Sequence, residues 1–177
     1  MGFLLCAFLF PSYNGLFAFI FYIFVYITIS IFLFGFLLSI RKRKSSEKIK
    51  NISELVSLAN SNNYLSFSLC LVLFSLAGIP PLIGFFGKFY IFLNLIELEY
   101  YLLALILVIT SVISSMYYIR LIKLMFFSKP KRYFFFENIS KLKSLLISFF
   151  FLFNLFFLFF PFYLIDFFHN LILMIVL

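Results

Sequence analysis

FSLAGIPPLIGFFGKFYIF, residues 74–92, decides how this chain is read. The stretch holds no acidic residue and one basic residue, Lys88, and its middle is the tetrad Gly78, Ile79, Pro80 and Pro81. Each proline lacks a backbone N–H, and Pro81 pushes Pro80 away from helical angles, so a continuous helix cannot pass this point. The hydrophobic segment around it covers residues 63–97. Wholly helical, it would measure about 50 Å against a hydrocarbon core of about 30 Å. It is therefore expected as a broken helix, interrupted at Gly78–Pro81, with halves near residues 63–77 and 83–97.

Lys88 is the second feature of the stretch. Of the fourteen Lys and Arg side chains it is the one deep inside a hydrophobic segment. A charge there costs roughly 3 kcal/mol on insertion scales, and marks a candidate functional site. Glu97 ends the segment nine residues later, which puts Lys88 about 13 Å from that end and near mid-bilayer. Interrupted backbone at such depth is tolerated only where it is buried in protein or faces a water-filled cavity. Discontinuous helices hold ions near the midplane of transporters in this way, and a lysine beside the break can load and release a proton. The competing reading has Lys88 snorkelling to the nearer interface, or pairing with a buried carboxylate that only holds helices together.

Outward from this stretch, the composition is 66% hydrophobic and 24% aromatic with a mean hydropathy of +1.19. Soluble domains stay near roughly 45–50% apolar residues. The fold class is therefore all-α integral membrane, a single membrane domain over residues 1–177 with about five transmembrane segments: 2–12, 15–40, 63–97, 100–127 and 144–177. The first is too short to cross alone, since a span takes about 20 residues. It reads as the tail of a helix begun elsewhere. Residues 41–62 form a basic loop, RKRKSSEKIK, followed by a short surface helix. Asn51 and Glu54 suit its capping box, and Ile52, Leu55, Val56 and Ala59 fall at helical spacing. Residues 128–143 form a second basic loop.

Charge fixes the expected topology. Arg41, Lys42, Arg43, Lys44, Lys48 and Lys50 belong to the first loop, and Arg120, Lys123, Lys129, Lys131, Arg132, Lys141 and Lys143 surround the second. One crossing each for segments 63–97 and 100–127 places all of them on one face, as the positive-inside rule prefers; a hairpin at 63–97 would divide them. The net charge of +8 is then mostly topological. No soluble surface presents these cations to nucleic acid, and membrane lipids with anionic headgroups are the expected partner.

Other classes receive little support. Cys6 and Cys70 have no ligand spacing, so inert thiols are expected, with neither disulfide nor metal site. The start, MGFLLC, lacks the basic flank of a signal peptide and has Cys6 where a myristoylation motif needs Ser or Thr. The 32 Phe and 11 Tyr without Trp point to an AT-rich coding bias, as in an organelle genome. Asp166 and His169 lie three apart and could relay a proton, although a position at the membrane interface fits their place after Pro161. Tyr117 and Tyr118 can hydrogen-bond in a wet interior or simply pack.

Residues 75–92 resemble the hallmark of the NADH dehydrogenase subunit 2 family, antiporter-like membrane subunits of respiratory complex I. Around it, NISELVSLA (51–59) resembles the family's surface helix, MYYIR (116–120) its following helix, and MGFLL (1–5) the middle of an earlier one. The resemblance covers only the C-terminal part of the family pattern. It implies a split subunit in which a separate polypeptide supplies the N-terminal helices.

The same resemblance makes Lys88 the proton-transfer lysine of the second broken helix, with Gly78, Pro80, Pro81, Gly84 and Gly87 shaping the break. Glu97 and Glu99 would lie near a proton exit, ordinary interfacial carboxylates being the competing reading. It implies a proton-translocating subunit of NADH:ubiquinone oxidoreductase without redox chemistry of its own. Flavin, iron–sulfur clusters and ubiquinone would be held by other subunits of the complex. Its expected location is the mitochondrial inner membrane, with the basic loops on the matrix side and the C-terminus on the intermembrane-space side. Two alternatives remain: a subunit of a secondary cation/proton antiporter, and a structural packing subunit that does not pump.

Overall fold

The computed structural model describes residues 2–9, 12–41, 52–129, 136–137 and 139–176. The basic stretch 42–50, the Asn51 cap and residues 130–135 of the second loop lie outside the described residues. Among the described residues every regular element is a helix: α1 (Gly2–Phe8), α2 (Tyr13–Ser39), α3 (Ile52–Ser61), α4 (Asn63–Ala77), α5 (Ile83–Glu97), α6 (Tyr101–Phe127), α7 (Lys141–Phe159) and α8 (Pro161–Val176). Among these, α2 and α6 are each long and apolar enough to cross a membrane.

α2 starts where Ser12 Oγ accepts the Gly15 N–H, 3.0 Å away, and satisfies one of the free donors of the first turn. Phe17, Phe21, Val25, Ile29, Phe32 and Phe36 recur every three or four residues and are all buried, so they form one stripe along the helix. α4, α5, α7 and α8 all pack against α2. Helices in lipid gain little from the hydrophobic effect, so their association rests on close packing and polar contacts. Aromatic rings supply much of that packing here. Phe21 and Phe168 meet edge to face at 5.5 Å, Phe32 and Phe150 at 5.7 Å, and Phe86 and Phe157 at 5.3 Å.

Two sets of hydrogen bonds identify the ends of the bundle. At one end Glu137 N donates to Arg41 O at 2.9 Å, and the start of α4 shares a groove with Phe136 and Glu137. At the other end, Ser12 Oγ donates to Asn94 Oδ1 at 2.9 Å and Asn14 Nδ2 donates to Glu97 Oε2 at 2.6 Å. The path from α4 into α5 thus advances from one end of α2 to the other.

In α3, Val56 is buried and Leu55 and Ala59 pack on the core, together with buried Glu54, Ser57 and Leu58, while Ile52 is 55% exposed. Packing against both α4 and α6 widens the buried face beyond the apolar positions. One detail departs from the sequence reading. The final segment, expected as one piece over 144–177, is two helices separated at Phe160. Pro161 opens α8, a position where its missing N–H leaves no helical bond unmade.

Candidate functional site at the α4–α5 junction

α4 ends in a Schellman motif. Gly78 takes φ +81°, left-handed backbone that suits glycine. Its N–H lies 3.1 Å from both Phe74 O and Ser75 O, and Ile79 N donates to Phe74 O at 3.2 Å. These bonds occupy two of the carbonyls that a helix end leaves free. The next two, of Leu76 and Ala77, each accept a hydrogen bond from Lys88 Nζ at 3.0 Å. The ammonium therefore completes the C-terminus of α4, where the helix dipole is negative. Such charge-assisted bonds are roughly twice as strong as neutral ones.

α5 begins against the same turn. Its cap residue Leu82 offers no side-chain acceptor, and the Gly84 N–H instead donates to Ser75 Oγ at 3.2 Å. A Cβ at Gly84 would lie 1.8 Å from Ser75 O, and one at Gly78 would lie 2.9 Å from Lys88 Nζ. Gly84 thus lets the two backbones touch, and Gly78 leaves room for the amino group. Gly87 does the same against α2, where a Cβ would stand 3.1 Å from Tyr22 Cδ2. Pro80 and Pro81 occupy the exposed outer edge of the turn.

Lys88 is half-buried, and its Nζ stands 5.9 Å from the centre of the Phe3 ring on α1, near the limit of a cation–π contact. It forms no ion pair among the described residues. Among the described residues the amino group points at the end of α4 and has backbone carbonyls as its partners. Chemically, the site is a primary amine fixed at a helix break, with a third N–H direction left over. Ser75 and the two carbonyl acceptors, Leu76 O and Ala77 O, were missed by sequence reasoning. Ser75 lies within the quoted stretch, but nothing local marks it, because its partner is nine residues away across the turn.

Glu97 and Glu99 are both exposed. Glu97 is tied to Asn14, and Glu99 has φ +62° at the turn into α6. Beside Glu97, a cavity of about 100 Å³ is lined in part by Tyr90, Asn94 and His169. Asn94 is 2% exposed and its Nδ2 has no partner. His169 stacks on Phe17 at 4.2 Å with its Nδ1 3.1 Å from Tyr13 Oη. Its bonded neighbour is thus a tyrosine, and Asp166 is exposed. Tyr117 is 66% exposed, whereas Tyr118 packs on the core. Cys6 and Cys70 are unpaired.

A helix end closed by a lysine from the next helix, within an all-helical apolar bundle, is the arrangement to compare with known proteins. The family model described as NADH:quinone oxidoreductase/Mrp antiporter, TM, matches residues 1–114, and the chain belongs to that family. It is 37% identical over 148 residues to NADH-ubiquinone oxidoreductase chain 2 of Marchantia polymorpha, covering 84% of this chain and 29% of that protein. It is 42% identical over 95 residues to NADH-quinone oxidoreductase subunit N 1 of Rhizobium meliloti, covering 54% of this chain and 20% of that protein. The chain thus spans under a third of the length of these relatives. Its fold matches a chain of the structure titled respiratory complex I from Thermus thermophilus with bound Aureothin. The TM-score is 0.76 at 22% identity, over 93% of this chain and 36% of that one.

Proposed function

We propose that this chain forms part of a proton-translocating membrane-arm subunit of NADH:ubiquinone oxidoreductase, with Lys88 as its proton-transfer group. The observation that carries this reading is the bonding of Lys88 Nζ to Leu76 O and Ala77 O at the end of α4. An amine held there is fixed in space yet keeps one direction free for exchange. Residues 63–97 form a single interrupted crossing among about five, with Gly78, Pro80, Pro81, Gly84 and Gly87 as the hinge. The basic loops 41–62 and 128–143 face the matrix of a mitochondrial inner membrane, and the C-terminus faces the intermembrane space. Glu97 and Glu99 lie toward the exit.

The remaining helices come from a separate polypeptide, and other membrane-arm subunits and membrane lipids complete the surroundings. Electron transfer takes place elsewhere in the complex, where flavin, iron–sulfur clusters and ubiquinone are bound, and reaches this chain as shifts in proton affinity. The family description also names Mrp antiporters, which supports a second reading as a subunit of a cation/proton antiporter.

Lys88→Met in the assembled complex tests the proposal. Protons moved per electron should fall, or turnover should stall, with assembly intact, while Lys88→Arg should preserve assembly without restoring exchange. Unchanged pumping in Lys88→Met leaves a packing role only. Cation-dependent proton uptake without NADH-driven turnover favours the antiporter.

A further inference from the structure

Of α6, Ala104, Leu107, Ile122 and Met125 are buried, and most of its other side chains are not. The helix has 27 residues, about 40 Å at 1.5 Å per residue, against a hydrocarbon core of about 30 Å. Counted from Tyr101, the core thickness is used up near Arg120. The last two turns therefore emerge at the level of lipid headgroups.

At that level lies an open groove of about 540 Å³. Its apolar wall is Met116, Ile119, Leu124 and Phe127, and its polar rim is Arg120 and Lys123. Phe127 is 83% exposed and Met116 65%. Arg120 and Lys123 are both exposed and make no hydrogen bond or ion pair among the described residues. They sit three apart, hence on one face. Below them the same helix continues into exposed Ile109, Val112 and Ile113.

We infer that this groove is a binding site for an anionic phospholipid. The phosphate is held between the Arg120 guanidinium, whose planar fork of donors matches phosphate oxygens, and the Lys123 ammonium. An acyl chain runs down the groove past Met116. Charge complementarity selects this occupant. A zwitterionic lipid brings its own cation to the rim, and an apolar protein helix would leave both cations without counter-charge in a region of lowered dielectric. The inference requires α6 to cross the membrane and is independent of any proton transfer at Lys88.

The test uses the assembled complex containing the full chain, in phosphatidylcholine nanodiscs carrying a minor fraction of photoactivatable phosphatidylglycerol or of photoactivatable phosphatidylcholine. Phosphatidylglycerol should label the peptide around residues 116–128 in excess of phosphatidylcholine. Arg120→Gln with Lys123→Gln should abolish the excess, at roughly fivefold weaker binding per cation lost. Lys129→Gln, an exposed cation outside the groove, should leave it intact and controls for general surface charge and folding. Equal labelling by the two lipids overturns the inference. So does loss of the excess on adding inorganic phosphate, which would mean a free-anion site. A benzophenone side chain at position 127 that captures polypeptide in preference to lipid would overturn it as well.

Discussion

At the scale of single residues, the junction is held by contacts that leave little freedom for substitution. Gly84 is the tightest. An added methyl 1.8 Å from Ser75 O must push α5 off α4, and overpacking of this kind costs about 1–3 kcal/mol. Gly84→Ala is expected to lower the thermal midpoint of the solubilised complex. It should also reduce proton translocation per electron, because the displaced helix carries Lys88 away from its carbonyls. Ser75→Ala removes an acceptor from a fully buried position and leaves the Gly84 N–H without its partner, at about 1–3 kcal/mol. Denaturation of the variant complex, followed by the loss of α-helical circular dichroism, reads that difference. Gly78→Ala combines left-handed backbone, at about 1–2 kcal/mol, with a 2.9 Å approach to Lys88 Nζ. It should therefore weaken pumping even in complexes that assemble normally, and normal pumping would show that the amino group does not need its present place.

At the scale of elements, what was legible depended on whether the determinant was local. Composition was enough for the all-helical membrane class, and residues 75–92 for the family, because apolar run length and a Gly–Pro turn are properties of contiguous sequence. The partners of Lys88 were not legible: Leu76 O and Ala77 O are backbone atoms common to every residue, chosen only once α4 and α5 meet. In α3 the spacing of Leu55, Val56 and Ala59 marked residues that do pack inward, but the burial of Glu54 and Ser57 was not legible, since two neighbouring helices decide how far the buried face extends. Pro161 was visible in the last segment, but a proline kinks or restarts a helix depending on its neighbours, and only the packing of α8 against α2 distinguishes these outcomes. The expected single crossing of residues 63–97 can be tested directly. In a background with Cys6 and Cys70 replaced by Ser, Asn60→Cys and Glu99→Cys should react with an impermeant thiol reagent from opposite faces of sealed vesicles. Labelling from the same face would establish a hairpin.

At the scale of the whole molecule, α6 presents a long apolar face, and the chain matches under a third of the length of its relatives. The proposed proton path accordingly needs groups from outside this chain. Purified alone into liposomes, it should show no proton flux above that of empty vesicles. Flux should appear only in preparations that also contain the remaining antiporter-like helices, identifiable by mass spectrometry of the intact complex. Flux from residues 1–177 alone would overturn that dependence.

The double hydrogen bond from Lys88 to the end of α4 has one more consequence. An ammonium has three N–H donors and a neutral amine has two, plus a lone pair. Both protonation states can therefore keep Leu76 O and Ala77 O satisfied. Only the third valence changes, from a hydrogen that gives to a lone pair that takes. Gaining or losing a proton thus changes the strength of these two bonds but not their partners, and reverses the polarity of a single direction in space, like a compass needle turned on a fixed pivot.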